Sequence, residues 1–357
     1  MANNRVSRVR EQLERRGADA LIIASDVNRR YVSGFTGTAG YVVVTGSGSY
    51  LLTDFRYMTQ APQQAEGFKV VEHAPDFMET TRELLAADGV KRLGFEQDHV
   101  TFADYTGWKE KLEGIELVPL GGVVEELRMV KDADELAVMK EAAAIADAAF
   151  AHILGFLKPG LKETDVALEL EFFMRKNGAQ STSFDTIVAS GERSALPHGV
   201  ASGRVIAADE FVKLDYGAYY NGYCSDITRT VVVGYPTDKH REIYKIVLEA
   251  QQHALANIRP GMTGREADAL TRDIITRYGY GGFFGHGTGH GLGMEIHEAP
   301  RLSLRSDTVL IPGMTVTVEP GIYLPGFGGV RIEDDVVITE DGISIITSSP
   351  KELIVLG

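Results

Sequence analysis

The chain has 357 residues, 44% of them hydrophobic and 24% charged, an ordinary composition for a soluble globular protein and a length that suits two domains. Its formal net charge of −14 argues against a nucleic-acid backbone or an anionic membrane as the main partner. Cys224 is the only cysteine, which excludes an intramolecular disulfide and a thiolate metal cage. The charged start MANNRVSRVREQLERRG has no apolar core of a secretory signal, and no run of 18 apolar residues is present to span a bilayer, so a cytoplasmic location is expected.

Residues 5–16 have amphipathic helical spacing, and ADALIIAS (18–25) is a short apolar strand after Gly17. GYVVVTGSGSYLLTDF (40–55) predicts a β-hairpin, with β-branched runs on either side of a Gly-Ser turn. A helix in ETTRELLAADG, a strand in RLGFE and a helix near 102–113 follow. This alternation predicts an α/β domain ending near Gly121-Gly122 and carrying no nucleotide fingerprint. Residues 126–156 predict one long helical stretch, with Leu136, Met139, Ala143, Ala146 and Phe150 near helical spacing. LKPGLKETDVALELEFFMRKNGA (157–179) and IRPGMTGREADALTRDIITRYGY (258–280) then look alike, with Pro-Gly pairs 101 residues apart, and suggest two similar halves.

The segment KLDYGAYYNGYCSDITRTVVVG (213–234) sets two β-rich runs around Asn221-Gly222, the signature of a two-residue type I′ hairpin. In that register Tyr220 opposes Tyr223 and Gly217 opposes Asp226, leaving Asp215 diagonal to Asp226 on the same face. Two aspartates on so apolar a hairpin repel unless a cation neutralises them, and Gly217 is expected to leave space between them. Phe284 to Glu298, FGHGTGHGLGMEIHE, brings three histidines among five glycines, residues that let a backbone approach something closely. In TVTVEPGIYLPGFGGVRIEDDVVITE (315–340) Glu319 ends an alternating strand and would be costly to bury alone. Glu333, Asp334 and Asp335 follow Arg331, and spacing does not choose among the three acids. One imidazole, His290, with Asp215, Asp226, Glu319 and Glu333 makes an oxygen-rich donor set whose four negative charges balance two divalent ions. Such a set favours Mn²⁺ or a similar ion over a thiolate-type zinc site.

The ordered segments DYGA, SDITRT, GHGTGHGLG with the following HE, VEPGIY and VRIED, together with NRRYVSGFTG (28–37) and DFRY (54–57), resemble the creatinase/aminopeptidase P/prolidase metallopeptidases. The resemblance covers nearly the whole chain. It implies an α+β fold: a smaller α/β N-terminal domain over residues 1–124, then a pita-bread catalytic domain over 125–357 with pseudo-two-fold halves. It implies metal ligands Asp215, Asp226, His290, Glu319 and Glu333, with two divalent ions, Mn²⁺ first and Co²⁺ or Zn²⁺ as alternatives. Hydrolysis would proceed through a metal-bridging hydroxide, with His198 and Glu319 catalytic. His286, His297, Arg301 and Arg331 are the expected substrate-binding residues, Arg331 in a structural or orienting capacity. The implied substrate is an Xaa-Pro dipeptide, on the strength of Arg301 in HEAPRLS, which suits a C-terminal carboxylate. Aminopeptidase P activity on longer proline-containing peptides is the alternative, and a non-catalytic binding protein of the same fold a remote one. The resemblance further implies a homodimer, with neither nucleic acid nor membrane as partner.

Overall fold

Short β-branched strands alternating with side-chain-capped helices build the first unit of the chain, Met1–Arg128. The computed structural model describes residues 2–357. In chain order this unit contains α1 (Ala2–Arg16), β1 (Ala20–Ile23), α2 (Asp26–Ser33), β2 (Tyr41–Thr45), β3 (Ser49–Thr53) and α3 (Ala61–Gln64). It continues with β4 (Lys69–Glu72), α4 (Phe77–Ala87), β5 (Arg92–Glu96), α5 (Phe102–Lys111), β6 (Glu116–Leu120) and α6 (Val123–Arg128). The strands form one mixed sheet in the order β4-β3-β2-β1-β5-β6. All four residues of β1 are buried, as expected of an apolar strand covered on both faces. The hairpin expected at 40–55 forms, pairing Val43 with Tyr50. Side chains of Ser25, Asp76 and Thr101 accept hydrogen bonds at the starts of α2, α4 and α5.

The second unit, Met129–Gly357, begins after α6, so the boundary expected at 124/125 falls within that helix. The stretch 126–156 is two helices rather than one: α6 ends at Arg128 and α7 spans Ala133–Phe156. Asp132 starts α7 with a capping box, its side chain accepting from the Glu135 amide while Glu135 accepts from the amide of Asp132. There follow α8 (Glu163–Lys176), β7 (Ser181–Thr182), β8 (Ile187–Ser190), β9 (Glu210–Tyr216), β10 (Ala218–Tyr220), β11 (Tyr223–Cys224) and β12 (Ile227–Val233). The second half repeats the scheme with α9 (Asp238–Asn257), α10 (Gly264–Arg277), β13 (Gly289–Gly291), β14 (Glu298–Leu302), β15 (Thr315–Val318), β16 (Gly321–Leu324), β17 (Gly328–Arg331), β18 (Asp334–Ile338), β19 (Ile343–Ile345) and β20 (Val355–Leu356).

Helices α7 and α8 bury Ala146, Phe150, Ile153, Val166 and Leu170 against Val188, Val212, Leu214 and Val231 of the β20-β12-β9-β8 sheet. In the second half Ala254, Ile258 and Ala267 of the α9–α10 region cover Val316, Val318, Val336 and Ile338 of the β14-β13-β15-β18-β19 sheet. The internal repeat is therefore structural. The Gly160 amide donates to Ile206 and the matching Gly261 amide to Leu310, at 2.9 and 2.8 Å. Isolated bridges Lys162–Val205 and Thr263–Val309 repeat the match two residues on. The halves are stitched where β12 meets residues 333–335. There Arg229 pairs with Asp334 at 2.8 Å, and the Glu333 amide donates to Thr228 at 3.1 Å. Among the described residues no helix is long and apolar enough to cross a membrane.

Candidate metal centre

The hairpin predicted from Asn221-Gly222 supplies the first two acids. Both turn residues have positive φ, 47° and 90°, as a type I′ turn needs, and Tyr220 pairs with Tyr223. The same register continues into the longer strands, where Tyr216 pairs with Ile227 and Asp215 with Thr228. Gly217 thus stands opposite Asp226, with Asp215 diagonal to it, and both acids are buried, 5% and 4% exposed. The reason for Gly217 differs from the one expected. A Cβ there would lie 1.7 Å from the Ser225 carbonyl oxygen, so the glycine admits the opposing backbone rather than leaving space for an ion.

The second half brings the remaining groups. His290 lies in β13, Glu319 follows the fully buried strand β15, and Glu333 lies between β17 and β18. The glycines around His290 also serve the sheet. A Cβ at Gly289 would lie 1.9 Å from the Thr317 oxygen, and one at Gly291 2.2 Å from that of Ala299. They let β15 and β14 close on β13 from either side. The close approach that such glycines permit is therefore one of backbone to backbone.

His290 Nδ1 is 3.0 Å from the Gly291 carbonyl, which places the proton on Nδ1 and leaves the Nε2 lone pair free. That Nε2 is 3.7 Å from Asp226 Oδ2 and 3.4 Å from Glu319 Oε1. Asp226, His290 and Glu333 each present a ligand atom within 4.8 Å of the others. Of the three consecutive acids only Glu333 lines the cavity. Asp334 is taken up by Arg229 and Lys351, and Asp335 accepts from the Asp226 amide at 2.9 Å.

Burial, then neighbouring carboxylates, push Asp226 and Glu333 well above the usual carboxylate range. Burial raises Glu319 to about 7 against the opposing pull of Arg331, and lowers His290 to about 3. Asp226 Oδ1 is buried without a hydrogen-bond partner among the described residues. A cluster of desolvated acids, a neutral imidazole and an orphaned acceptor fits divalent cations, which would satisfy the acceptor and offset the repulsion.

These groups line a cavity of about 570 Å³ together with His198, His286, His297, Arg301 and Arg331. Arg331, which is 4% exposed, is largely committed inside the protein. It donates through Nε to Thr228, through Nη1 to the Pro197 carbonyl and the Tyr323 hydroxyl, and through Nη2 to Asp215. Thr228 in turn donates to Glu333 at 2.5 Å. His286 is similarly occupied, with Nδ1 2.8 Å from the Gly287 carbonyl and Nε2 2.7 Å from the Tyr323 hydroxyl. Because Tyr323 accepts from Arg331, its own proton is free to go to His286. Tyr323 closes the VEPGIY segment without a role assigned from the sequence, yet it links both. His297 packs edge-on to His290 with ring centres 4.5 Å apart. The side chains of His198 and Arg301 reach the cavity without a hydrogen bond or ion pair among the described residues.

Residues 137–340 match the model of metallopeptidase family M24, and residues 5–130 that of the creatinase/prolidase N-terminal domain. An Xaa-Pro dipeptidase from Bacillus anthracis is 56% identical, with a TM-score of 0.98 and full coverage of both chains. An Xaa-Pro dipeptidase from Pyrococcus horikoshii is 41% identical over 99% of each chain. An X-Pro aminopeptidase from Thermotoga maritima is 39% identical, with a TM-score of 0.91 over 96% of this chain and 99% of that one. With the buried acid-and-imidazole cluster, these matches establish that the chain belongs to metallopeptidase family M24, with a creatinase/prolidase domain ahead of a pita-bread peptidase domain.

Proposed function

We propose that the chain is an Xaa-Pro dipeptidase, hydrolysing the amide bond that precedes a C-terminal proline. The observation that carries this reading is a single cavity lined by both the acid-and-imidazole cluster and Arg301, a guanidinium with no ion pair among the described residues. The dipeptidase relatives support the same substrate. Asp215, Asp226, His290, Glu319 and Glu333 would hold two divalent ions, Mn²⁺ ahead of Co²⁺ or Zn²⁺. Bound there, such ions polarise a carbonyl and make water more acidic.

The chain's own groups account for the rest. Glu319 takes up the proton of the attacking water and passes it to the leaving nitrogen. His198 donates to the oxygen on which negative charge develops. His297 faces the substrate. His286 and Arg331, occupied by Tyr323, Thr228 and Asp215, orient the site rather than bind peptide directly. Arg301 holds the substrate carboxylate as a bidentate partner. The proline amide is tertiary and has no N–H, so this arrangement demands no donor from it. The enzyme acts in the cytoplasm as a homodimer, with neither nucleic acid nor membrane as partner. A monomer in light scattering with full activity would remove the dimer.

Turnover of Ala-Pro against Ala-Pro-Ala with added Mn²⁺ tests the substrate. Arg301→Ala should raise KM for Ala-Pro about 10- to 150-fold, the loss of a charge-assisted hydrogen bond, and leave the tripeptide nearly unchanged. The Thermotoga relative favours a second reading, an aminopeptidase acting on longer peptides, and a wild-type preference for the tripeptide would establish it. No turnover of either peptide would leave the non-catalytic reading standing.

A further inference from the structure

His198 stands third in a turn, Leu196–Gly199, in which the Gly199 amide donates to the Leu196 carbonyl at 3.2 Å. Its side chain has no hydrogen bond among the described residues, so the backbone of the turn sets where the ring points into the cavity. The Leu196 carbonyl has a second donor from far along the chain. Lys213 lies in β9 on the same strand face as Asp215 and is fully buried. Its ammonium donates to the carbonyls of Leu196 at 2.6 Å, Ser194 at 3.2 Å and Pro197 at 3.3 Å. Three N–H groups meet three carbonyls, and no carboxylate pairs with the charge among the described residues. The Tyr323 ring centre lies 5.1 Å from the same nitrogen. Arg331 adds a second cation on the Pro197 carbonyl at 3.1 Å.

Burying an ammonium without a carboxylate is costly, and the carbonyl dipoles of this one turn are what offset it. A leucine at this position would bury without that cost. We propose that Lys213 is a positioning residue for His198. It gathers the carbonyls of Ser194, Leu196 and Pro197 and so fixes the turn from which the histidine meets the substrate. The inference rests on the reading of His198 as the group that faces the reacting bond.

A double-mutant cycle tests it, with Ala-Pro turnover, circular dichroism and metal content measured on each variant. Lys213→Met should lower kcat on the order of 10- to 100-fold, as a misplaced catalytic group does. Its KM should stay within about threefold, with two ions still bound. In a His198→Ala background the same change should cost less than about threefold, because the group it positions is gone. An equal loss of kcat in both backgrounds, or a loss of bound metal, would overturn the proposal and make Lys213 a support of the fold or of the ligands. Should Lys213→Met fail to fold, Lys213→Gln retains an amide donor and carries the same cycle. If His198→Ala alone keeps wild-type kcat, the assignment of His198 has failed and takes the proposal with it.

Discussion

Glu319→Gln in the metal-free protein should be stabilising, and the size of the effect should depend on pH. Burial raises the Glu319 carboxyl from an ordinary 4.5 to about 7, with Arg331 as the opposing influence. The folded state thus holds this proton more tightly than the unfolded chain does. The associated stability is present below about 4.5 and is lost as pH rises through about 7. At about 1.36 kcal/mol per pH unit, an ionised Glu319 at pH 8 costs roughly 3 kcal/mol. Glutamine keeps the volume and carries no charge. After exhaustive chelation Glu319→Gln should therefore exceed the parent by roughly 3 kcal/mol at pH 8 and by under about 1 kcal/mol at pH 5. With saturating metal the order should reverse, because the carboxylate is then a ligand. Urea titrations followed by far-UV circular dichroism are the assay, since the single tryptophan, Trp108, lies in the N-terminal unit and would report on the wrong one. A difference between variant and parent that does not change with pH would refute the reasoning.

Elemental analysis after metal loading should find two ions per chain, and Asp226→Asn should bind one at most. Each site saturated at about a hundred times its Kd should add about 2.7 kcal/mol to the wild type in the same titrations, and a wild type that never exceeds one ion would count against the two-metal reading. Gly289→Ala should destabilise by about 1–3 kcal/mol or more, because its Cβ would lie 1.9 Å from the Thr317 oxygen. Gly285→Ala, which meets nothing within 4 Å, should stay within about 0.5 kcal/mol, and equal effects from the two would remove the close-approach account.

Wherever a local rule governed, the site was legible in advance. Asn221-Gly222 dictates a turn type, the turn dictates a register, and the register puts Asp215 diagonal to Asp226 without any tertiary information. Readings failed where the deciding partner is remote. The glycines around His290 announce a close approach, but nothing nearby in sequence says that the approaching groups are the carbonyls of Ala299 and Thr317. Glu333 could not be told from Asp334 because the arginine that claims Asp334 sits on β12, in the other half. Tyr323 and Lys213 read as residues of apolar strands, since the groups they bind come from distant turns and strands. The break at 129–132 is a different kind of miss. Its local signal, Asp132 three residues before Glu135, was present, and the helical spacing of apolar residues begins only at Leu136, beyond the break.

The division of the ligand candidates between the halves has a kinetic consequence. Asp215 and Asp226 come together by closing one short hairpin, whereas His290, Glu319 and Glu333 join them only after a loop on the order of a hundred residues has closed. A cation meeting the chain early would find two carboxylates and little else. The complete donor set exists only once the second sheet has docked through Arg229 and Asp334. Contacts formed that late are largely missing from the folding transition state, so they change the rate of unfolding far more than the rate of folding. Ions shared by the two halves would therefore act as a latch, lengthening the lifetime of the native state without hastening its formation.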